Sequence, residues 1–299
     1  MKVGSVFPQL EIGADPDEIA RYAREVERLG FDHLVIYDHV LGAHPDRPAG
    51  WSGPYARAPY THESLFHEPF VLFGHLAAVT TRLELVTAVV ILPQRQTALV
   101  AKQAAEVDVL SRGRLRLGVG IGWNAVEYEA LGMDYRSRGQ RIEEQIGLMR
   151  ALWTEPVVDF RGRWERVDRA GLNPLPVQRP IPIWMGGGYL AASKEVVEAA
   201  LRRIARLADG WLTHVQPEDA AAIARFRELV RESGRDPSRV GLEGRVNAFR
   251  VRAEDWPREI EWWRRREATH VELNTMNAGY RSIEEHLGAL RRFVDVARG

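Results

Sequence analysis

The clearest pattern in the chain is a strand, a helix and a second strand between residues 83 and 122. The apolar runs Leu85–Leu92 and Leu115–Val119 are long enough for buried strands. Between them Thr97 can cap a helix that Gly113 ends, and apolar residues recur at helical spacing at Val100, Ala104, Val107 and Leu110. Two strands that are apolar nearly throughout need cover on both faces, which predicts a parallel sheet wrapped by helices.

The same alternation runs through the rest of the chain. A strand at Val3–Phe7 precedes a helix that Asp15 caps, and a second strand follows at Leu34–Tyr37. Later strands are predicted at Pro180–Met185, Gly210–Thr213, Glu243–Ala248 and His270–Leu273. Eight strands alternating with helices over 299 residues favour a single (β/α)8 TIM barrel domain spanning residues 1–299. A doubly wound sheet is the alternative.

Two insertions interrupt the alternation, one after strand two and one before strand five. Residues 41–67 combine four prolines with aromatic and histidine side chains. This is typical of a lid or binding loop, and a solvated insertion fits equally well. Trp51 and Tyr55 in this loop are candidates for the wall of a substrate pocket. Farther on, Val157–Phe160 and Trp164–Val167 are predicted to form a hairpin outside the barrel.

Composition limits the class of protein. Hydrophobic residues make up 45% of the chain and the formal net charge is zero, so neither nucleic acid nor a membrane surface is indicated as a partner. The absence of cysteine excludes disulfides and thiol catalysis. No signal peptide and no apolar run of ~20 residues is present, which predicts a cytoplasmic protein. All but three of the basic residues are arginine, so a single arginine is weak evidence of a site.

Asp38 and His39 are the first candidates for catalysis. They directly follow a predicted strand, and barrel enzymes carry catalytic groups at the carboxyl ends of their strands. Histidine titrates near neutrality and can exchange a proton with a substrate hydroxyl or carbonyl. The alternative is structural, with Asp38 capping a turn and His39 packing beside it.

Two groups of glycines are candidates for binding a cofactor. Gly118, Gly120 and Gly122 follow strand four, but Trp123 stands where the dinucleotide fingerprint needs a further glycine, so that interpretation is rejected. Gly120 and Gly122 are instead expected to let a flat ring approach the backbone. The run Gly186–Gly188 precedes a helix and could hold a phosphate, although a simple strand-to-helix turn is the common alternative.

Several motifs together resemble the bacterial luciferase-like monooxygenase family, and most of all its deazaflavin-dependent branch. The motifs are Tyr37-Asp38-His39, the stretch from Ile91 to Trp123, the stretch from Arg138 to Trp153, PIPIWMGGG, and ADGW from Ala208 to Trp211. Each is weak alone, but their order and spacing along nearly the whole chain are specific.

The resemblance implies a (β/α)8 barrel that uses coenzyme F420 or FMN at the carboxyl ends of its strands. It implies that Asp38 and His39 contact the cofactor or exchange protons. It also implies that Thr87, Ala88 and Val89 form a bulge under the cofactor ring, with a cis peptide between Ala88 and Val89. Gly186, Gly187 and Gly188 would then hold the cofactor phosphate, and Trp123 would line the substrate pocket.

The leading hypothesis is therefore an F420-dependent oxidoreductase that transfers hydride to or from a small organic substrate. The alternatives are an FMN-dependent two-component monooxygenase and a flavin-binding barrel without turnover. The family is usually dimeric, so the resemblance implies a homodimer, with a separate flavin or F420 reductase as a further candidate partner. A metal-dependent hydrolase is less favoured, because no H-x-H follows strand one and no H-E-x-x-H is present. We therefore predict no metal.

Overall fold

Parallel strands and surrounding helices form a closed barrel in the computed structural model, which describes residues 1–47, 59–188, 193–216 and 219–299. The strands are β1 Lys2–Val6, β2 His33–Ile36, β3 Glu84–Thr87, β4 Val90–Ile91, β5 Leu115–Gly120, β6 Val158–Arg161, β7 Arg166–Ala170, β8 Ile183–Gly186, β9 Gly210–Leu212, β10 Gly241–Asn247 and β11 His270–Asn274.

Helices follow most of these strands and cover the outside of the barrel. They are α1 Pro16–Arg28, α2 Pro69–Val79, α3 Thr97–Leu110, α4 Ala125–Ala130, α5 Arg138–Thr154, α6 Lys194–Leu207, α7 Ala221–Glu232, α8 Trp256–Arg265 and α9 Ile283–Arg298. Among the helices of the described residues, none has the length and apolarity needed to cross a membrane.

The pairing of the first and last strands decides between the two predicted architectures. β1 pairs in parallel with β2 on one side and with β11 on the other, where Lys2 lies opposite His270. An open doubly wound sheet would leave its edge strands unpaired, whereas here the ring closes through β10, β9, β8 and β5 back to β3. The predicted TIM barrel is confirmed, and the β6–β7 hairpin lies outside this sheet as expected.

Most predicted elements are present, with two differences in the central unit. The single strand predicted at Leu85–Leu92 is split into β3 and β4, because the backbone bulges at Ala88 and Val89. Thr97 is the first residue of α3 rather than its cap, and its hydroxyl accepts a hydrogen bond of 2.9 Å from Gln145. Gln96 occupies the N-cap position without a side-chain bond.

Glycines on the barrel strands make room for large side chains inside the barrel. A methyl carbon added at Gly210 or at Gly241 would lie 2.3 Å from the ring of Trp184. One added at Gly4 would lie 2.0 Å from the imidazole of His33. The neighbouring backbones cannot move apart without breaking the strand pairing, so the indole and the imidazole fit only because these positions lack side chains.

A layer of charged side chains fills the amino-terminal part of the barrel. His33 Nε2 lies 2.6 Å from Glu243, and Arg116 donates to Glu243 and, at 3.0 Å, to Glu84. Burial alone would raise the pKa of the Glu243 carboxyl, but Arg116 and His33 outweigh it and hold this pKa well below its usual range. The layer is therefore an ion-pair network that closes the barrel below its carboxyl-terminal mouth.

We expect Gly210→Ala to lower the free energy of unfolding by about 3 kcal/mol, because the added carbon overlaps the Trp184 ring and overpacks the barrel interior. Urea unfolding followed by tryptophan fluorescence measures this change. Gly74→Ala is the matched control, since no atom lies within 4 Å of a methyl added at this position in α2. The control should raise stability by about 0.5–1 kcal/mol, and a similar loss in both variants would contradict the packing argument.

Acid should destabilise the fold partly through His286. This histidine of α9 is fully buried, its Nδ1 lies 2.8 Å from the Thr275 hydroxyl, and burial lowers its pKa from 6.5 to about 4. The unfolded chain takes up this proton near pH 6.5 and the folded chain only near pH 4. The His286 contribution is therefore complete above about pH 6.5 and is lost as the pH falls toward about 4, with a slope of up to about 1.4 kcal/mol per pH unit. Urea unfolding of His286→Phe over this range should show a shallower slope than wild type, and an identical slope would contradict the assignment.

Candidate active site

A cavity of about 510 Å³ opens at the carboxyl ends of the barrel strands. Its walls come from the bulge between β3 and β4, from the ends of β5, β8, β9 and β10, and from the first turns of α6. Most of the predicted site residues line this one cavity, namely Ala88, Val89, Gly120, Gly122, Trp123, Gly186, Gly187 and Gly188. The fold thus brings together residues that are up to 100 positions apart in the sequence.

The bulge forms one wall of the cavity. The peptide bond between Ala88 and Val89 is cis, as the resemblance implies. Methyl carbons added at Gly120 and Gly186 would lie 2.5 and 2.7 Å from the side-chain methyls of Val89. The space at these two glycines is therefore taken by Val89. Gly120 also lines the cavity, so its expected approach to a flat ring stays a prediction beside this packing role.

Thr87 and Gly122 support the bulge from either side. The Thr87 hydroxyl donates to the Gly118 carbonyl at 2.7 Å and accepts from the Gly118 N–H at 2.9 Å, behind the cavity surface. Gly122 adopts φ +62°, and a methyl carbon there would lie 2.6 Å from Ile91. These contacts hold β3 and β4 against β5. Thr87 therefore supports the bulge from behind.

The Gly186–Gly188 run bounds the part of the cavity that is best suited to an anion. Gly187 and Gly188 have φ values of +153° and +74°, and the N-terminal end of α6 lies beside them with Val196 and Val197 at the cavity wall. Arg138 and Arg203 line the same cavity. A helix N-terminus with two guanidinium groups is a favourable setting for a phosphate.

Asp38 is buried beside the bulge and does not line the cavity. Its carboxylate accepts a hydrogen bond of 3.1 Å from the Ile91 N–H and one of 2.8 Å from Arg95. Burial raises the pKa of this carboxyl, while Arg95 and the Ile91 amide act in the opposite direction. The geometry therefore gives Asp38 a supporting position, tying the end of β2 to the residue after the bulge.

His39 lies in an aromatic pocket next to the cavity. Its Nδ1 is 2.7 Å from the Tyr60 hydroxyl and 3.4 Å from the carboxylate of Glu127, and its ring contacts Phe66 edge to face. The ring centroids of His39 and Trp123 are 6.1 Å apart, and Trp123 lines the cavity, so His39 lies beside the cavity wall. The His39 side chain keeps 15% of its surface exposed.

The floor of the cavity is polar. Arg245 forms a buried ion pair with Glu272 and donates to Nδ1 of His214 at 3.4 Å. Desolvation at the cavity floor and the charge of Arg245 both lower the pKa of His214, although its side chain keeps contact with solvent, so the imidazole is neutral at physiological pH. His214 can therefore offer a neutral hydrogen-bonding group to a bound molecule.

Comparison with known proteins identifies the family to which this chain belongs. The family model described as luciferase-like monooxygenase matches residues 2–290. An uncharacterised protein of Mycobacterium tuberculosis is 35% identical over 215 residues, which cover 71% of each chain. The chain belongs to the luciferase-like monooxygenase family. It is thus a luciferase-like oxidoreductase.

Relatives of this luciferase-like oxidoreductase differ in cofactor. An F420-dependent glucose-6-phosphate dehydrogenase of Segniliparus rotundus is 31% identical over 179 residues, covering 58% of this chain and 48% of that protein. An FMNH2-dependent dimethylsulfone monooxygenase of Pseudomonas fluorescens is 37% identical over 139 residues, covering 45% and 36%. An F420-dependent secondary alcohol dehydrogenase, solved with an F420-acetone adduct, shares the fold with a TM-score of 0.77 at 19% identity, covering 100% of this chain and 99% of that one.

Some residues of the luciferase-like site could not be found by sequence reasoning. Tyr60 belongs to the aromatic loop, but nothing in the pattern indicates its bond to His39. Asn124 caps the short helix α4 and Glu127 lies within it, and neither residue belongs to a periodic apolar pattern in the sequence. Arg138 is one of many arginines in the sequence and no pattern marks it, yet it lines the cavity, stacked 3.7 Å over the ring of Tyr135. The predicted pocket residues Trp51 and Tyr55 lie outside the described residues.

One buried group of side chains has a spacing that could suit a metal ion. Within the described ranges, the side chains His33, Glu243 and Glu272 place potential ligand atoms within 4.8 Å of one another. Arg116 and Arg245 are bound to these two carboxylates, and their positive charges compete with a cation. The group therefore belongs to the buried ion-pair network.

Asp38→Ala should lower the free energy of unfolding by about 3 kcal/mol, because it leaves the Ile91 N–H unpaired and removes the buried partner of Arg95. Glu68→Gln is the control, since the bond from Arg95 to Glu68 is of similar length, 3.0 Å, but Glu68 is partly exposed. The control should cost less than about 1 kcal/mol. Urea unfolding of both variants checks this, and an unchanged midpoint in Asp38→Ala would argue against the supporting role.

Proposed function

We propose that this chain is an F420-dependent oxidoreductase that exchanges hydride between the deazaflavin and a small organic substrate. The observation that carries the proposal is the cavity at the carboxyl ends of the barrel strands, walled by the bulge at Ala88 and Val89 and flanked by His39. A flat ring held against the bulge would present its other face to the space bounded by Trp123. The site thus combines a seat for a ring with a group that exchanges protons.

The cofactor seat has two parts that suit the two ends of such a molecule. Val89 and Ile121 offer an apolar surface for a ring, while the Gly186–Gly188 run, Arg138 and Arg203 offer an anion site for a phosphate. FMN and F420 both carry a ring and a phosphate, so the seat accommodates either class. The choice of F420 rests on the F420-dependent relative and on the shared fold of the alcohol dehydrogenase.

The bound coenzyme would supply the hydride chemistry. The protein's own residues would bind and orient the coenzyme and the substrate, and one of them would transfer a proton. His39 is placed to exchange a proton with a substrate oxygen, because its ring is partly exposed beside Trp123. The aromatic rings of Tyr60, Phe66 and Trp123 around it would exclude water from the reacting atoms. A substrate that gains or loses a hydride at carbon and a proton at oxygen fits this arrangement, which favours alcohols and carbonyl compounds.

An FMN-dependent monooxygenase is the second candidate, because the FMNH2-dependent relative has the higher local identity of the two named relatives. Such an enzyme would need a separate reductase as a partner. We also expect a homodimer, on family grounds alone, which sedimentation analysis can check.

Titration of the purified protein with F420 and FMN, each oxidised and reduced, tests the cofactor proposal. Binding measured by fluorescence or calorimetry should be at least about tenfold tighter for F420, a difference of about 1.4 kcal/mol. Tighter binding of reduced FMN would instead support the monooxygenase. Binding of neither would overturn the function proposed for this cavity.

His39→Ala tests the proton-exchange role. The variant should bind the preferred cofactor within about threefold of wild type, while turnover should fall by roughly 100-fold or more, as expected for loss of a general acid or base. His75→Ala is the control, because His75 is exposed on α2. Unchanged turnover in His39→Ala would support a barrel in which His39 takes no part in the chemistry.

A further inference from the structure

We propose that Gln94 and Glu127 are positioning residues that hold His39 at the wall of the cavity. Glu127 binds the backbone that follows His39 and faces its ring, and Gln94 holds the Glu127 carboxylate from the turn after β4. These contacts exist without a cofactor. Their consequence for turnover rests on the function proposed above.

The carboxylate of Glu127 is the centre of this arrangement. Glu127 lies in α4 and is fully buried. Its Oε1 accepts hydrogen bonds from the Val40 N–H at 2.7 Å and from the Leu41 N–H at 3.3 Å, and it lies 3.4 Å from Nδ1 of His39. One side chain thus contacts two peptide groups and the imidazole. Glu127 therefore limits where the backbone and the ring of His39 can lie.

This arrangement holds the ring whichever of its nitrogens carries the hydrogen. Nδ1 of His39 also lies 2.7 Å from the Tyr60 hydroxyl, and a hydroxyl can donate or accept. The bonds from the backbone to Glu127 have a fixed direction, because a backbone N–H can only donate. The position of His39 is therefore set by contacts that do not depend on its tautomer.

Gln94 holds the second oxygen of the carboxylate. It is 2% exposed, and its Nε2 donates to Oε2 of Glu127 at 3.2 Å. Because the carboxylate oxygen accepts, the amide nitrogen must be the atom that faces it. Within the described residues, Oε1 of Gln94 is buried without a hydrogen-bond partner, which costs stability. The bond to Glu127, rather than local stability, therefore explains a glutamine at this position.

The charge balance around Glu127 differs from that around Asp38. Asp38 forms an ion pair with Arg95 at 2.8 Å, whereas in the described part of the chain no arginine or lysine forms one with Glu127. A buried carboxylate without a basic partner depends on the N–H groups that bind it. A change at Gln94 should therefore affect Glu127 and, through it, His39.

Helix α5 anchors the turn that carries Gln94. This turn, residues 92–95, follows β4. Gln145 donates to two of its carbonyl groups at 3.3 and 3.1 Å, and Arg141 donates to a third at 3.0 Å. Three of the four carbonyl groups are thus bound to one helix. The turn is a fixed support from which Gln94 can hold the carboxylate in place.

Exchange of the amide and the carboxylate tests this pair. Gln94→Glu places two carboxylates face to face and should displace His39. Gln94→Glu combined with Glu127→Gln restores a bond between the two positions with its direction reversed, and the total charge of the pair stays the same. The amide at position 127 keeps an oxygen for the Val40 N–H. The double variant should therefore resemble wild type more closely than the single variant does.

NMR of protein labelled with 15N- and 13C-histidine reports the surroundings of the ring and needs no cofactor. The signals that are lost in His39→Gln identify His39. In Gln94→Glu these signals should shift or divide into several sets, because the ring is no longer held in one place. The double variant should return to one set near the wild-type position. Unchanged signals in Gln94→Glu, or a double variant as disturbed as the single one, would overturn the proposal.

Gln94→Met removes the donor without adding a charge and keeps a side chain of similar length. It should shift the His39 signals less than Gln94→Glu does, because the backbone bonds to Glu127 remain. This variant decides the question if the charged variants do not fold. A folded Gln94→Met with wild-type His39 signals would contradict the role of Gln94.

Gln178→Glu is the matched control. Nε2 of Gln178 donates to the carboxylate of buried Asp108 at 2.7 Å and to the carbonyl of Leu115, the first residue of β5, at the end of the barrel opposite the cavity. The control also brings two carboxylates together, but it should leave the His39 signals and turnover unchanged. The same His39 response in this variant would indicate a general loosening of the fold and would overturn the specific role of Gln94.

Turnover of alcohols with oxidised F420, and of ketones and aldehydes with reduced F420, tests the catalytic consequence. Gln94→Glu should lower kcat by roughly 30-fold or more, because a displaced proton-exchanging group slows the reaction. The Kd of F420 should change by less than about threefold, since Gln94 does not line the cavity. The double variant should recover at least about tenfold in kcat, as expected for two coupled positions.

The outcomes separate this proposal from the proposed function. Turnover with F420 that is the same in wild type and Gln94→Glu would overturn the positioning role and leave the function intact. If neither F420 nor FMN binds but the His39 signals respond as expected, the function proposed for the cavity fails while the positioning of His39 stands.

Discussion

The insertion of Val89 between Gly120 and Gly186 is the contact on which the site depends. The strand is interrupted at Ala88 and Val89, between β3 and β4. The Val89 side chain therefore points into the mouth of the barrel. It fits only because the facing strands offer glycine at both positions, where any methyl carbon would lie under 3 Å from Val89. The shape of the cavity therefore follows from a packing requirement among three strands.

Asp38 connects this bulge to His39. The residue lies two positions after the end of β2, and its carboxylate holds the Ile91 N–H just beyond the bulge. Because His39 is the next residue, the same interaction that fixes the bulge also limits where the imidazole can lie. A ring bound against Val89 and a substrate beside His39 would thus rest on the same support. A shared rigid support fixes the distance between two bound groups and so improves the precision of a site.

Charged side chains lie in two layers along the barrel axis, one at the amino-terminal end and one at the mouth. The amino-terminal layer around Arg116 and Glu243 pairs its charges internally, and such buried pairs rarely add net stability over apolar packing. At the mouth, Arg138 and Arg203 line the cavity, but Arg203 is paired with Glu143 and Arg245 with Glu272. Both arginines beside the Gly186–Gly188 run can face a ligand, and Glu143 offsets part of their charge.

The sequence by itself determined the alternation of strands and helices, because apolar strands and helical stripes follow local periodicity, and the order of its motifs carried the family resemblance. The closed ring was decided by the pairing of β1 with β11, which no local pattern records. The sequence also placed Asp38 and His39 at a strand end. Only the tertiary structure decided that Asp38 supports the bulge, and that Tyr60 and Glu127 reach His39. These contacts join residues 21 to 88 positions apart, and no periodicity records which polar side chains will meet when the ring of strands closes.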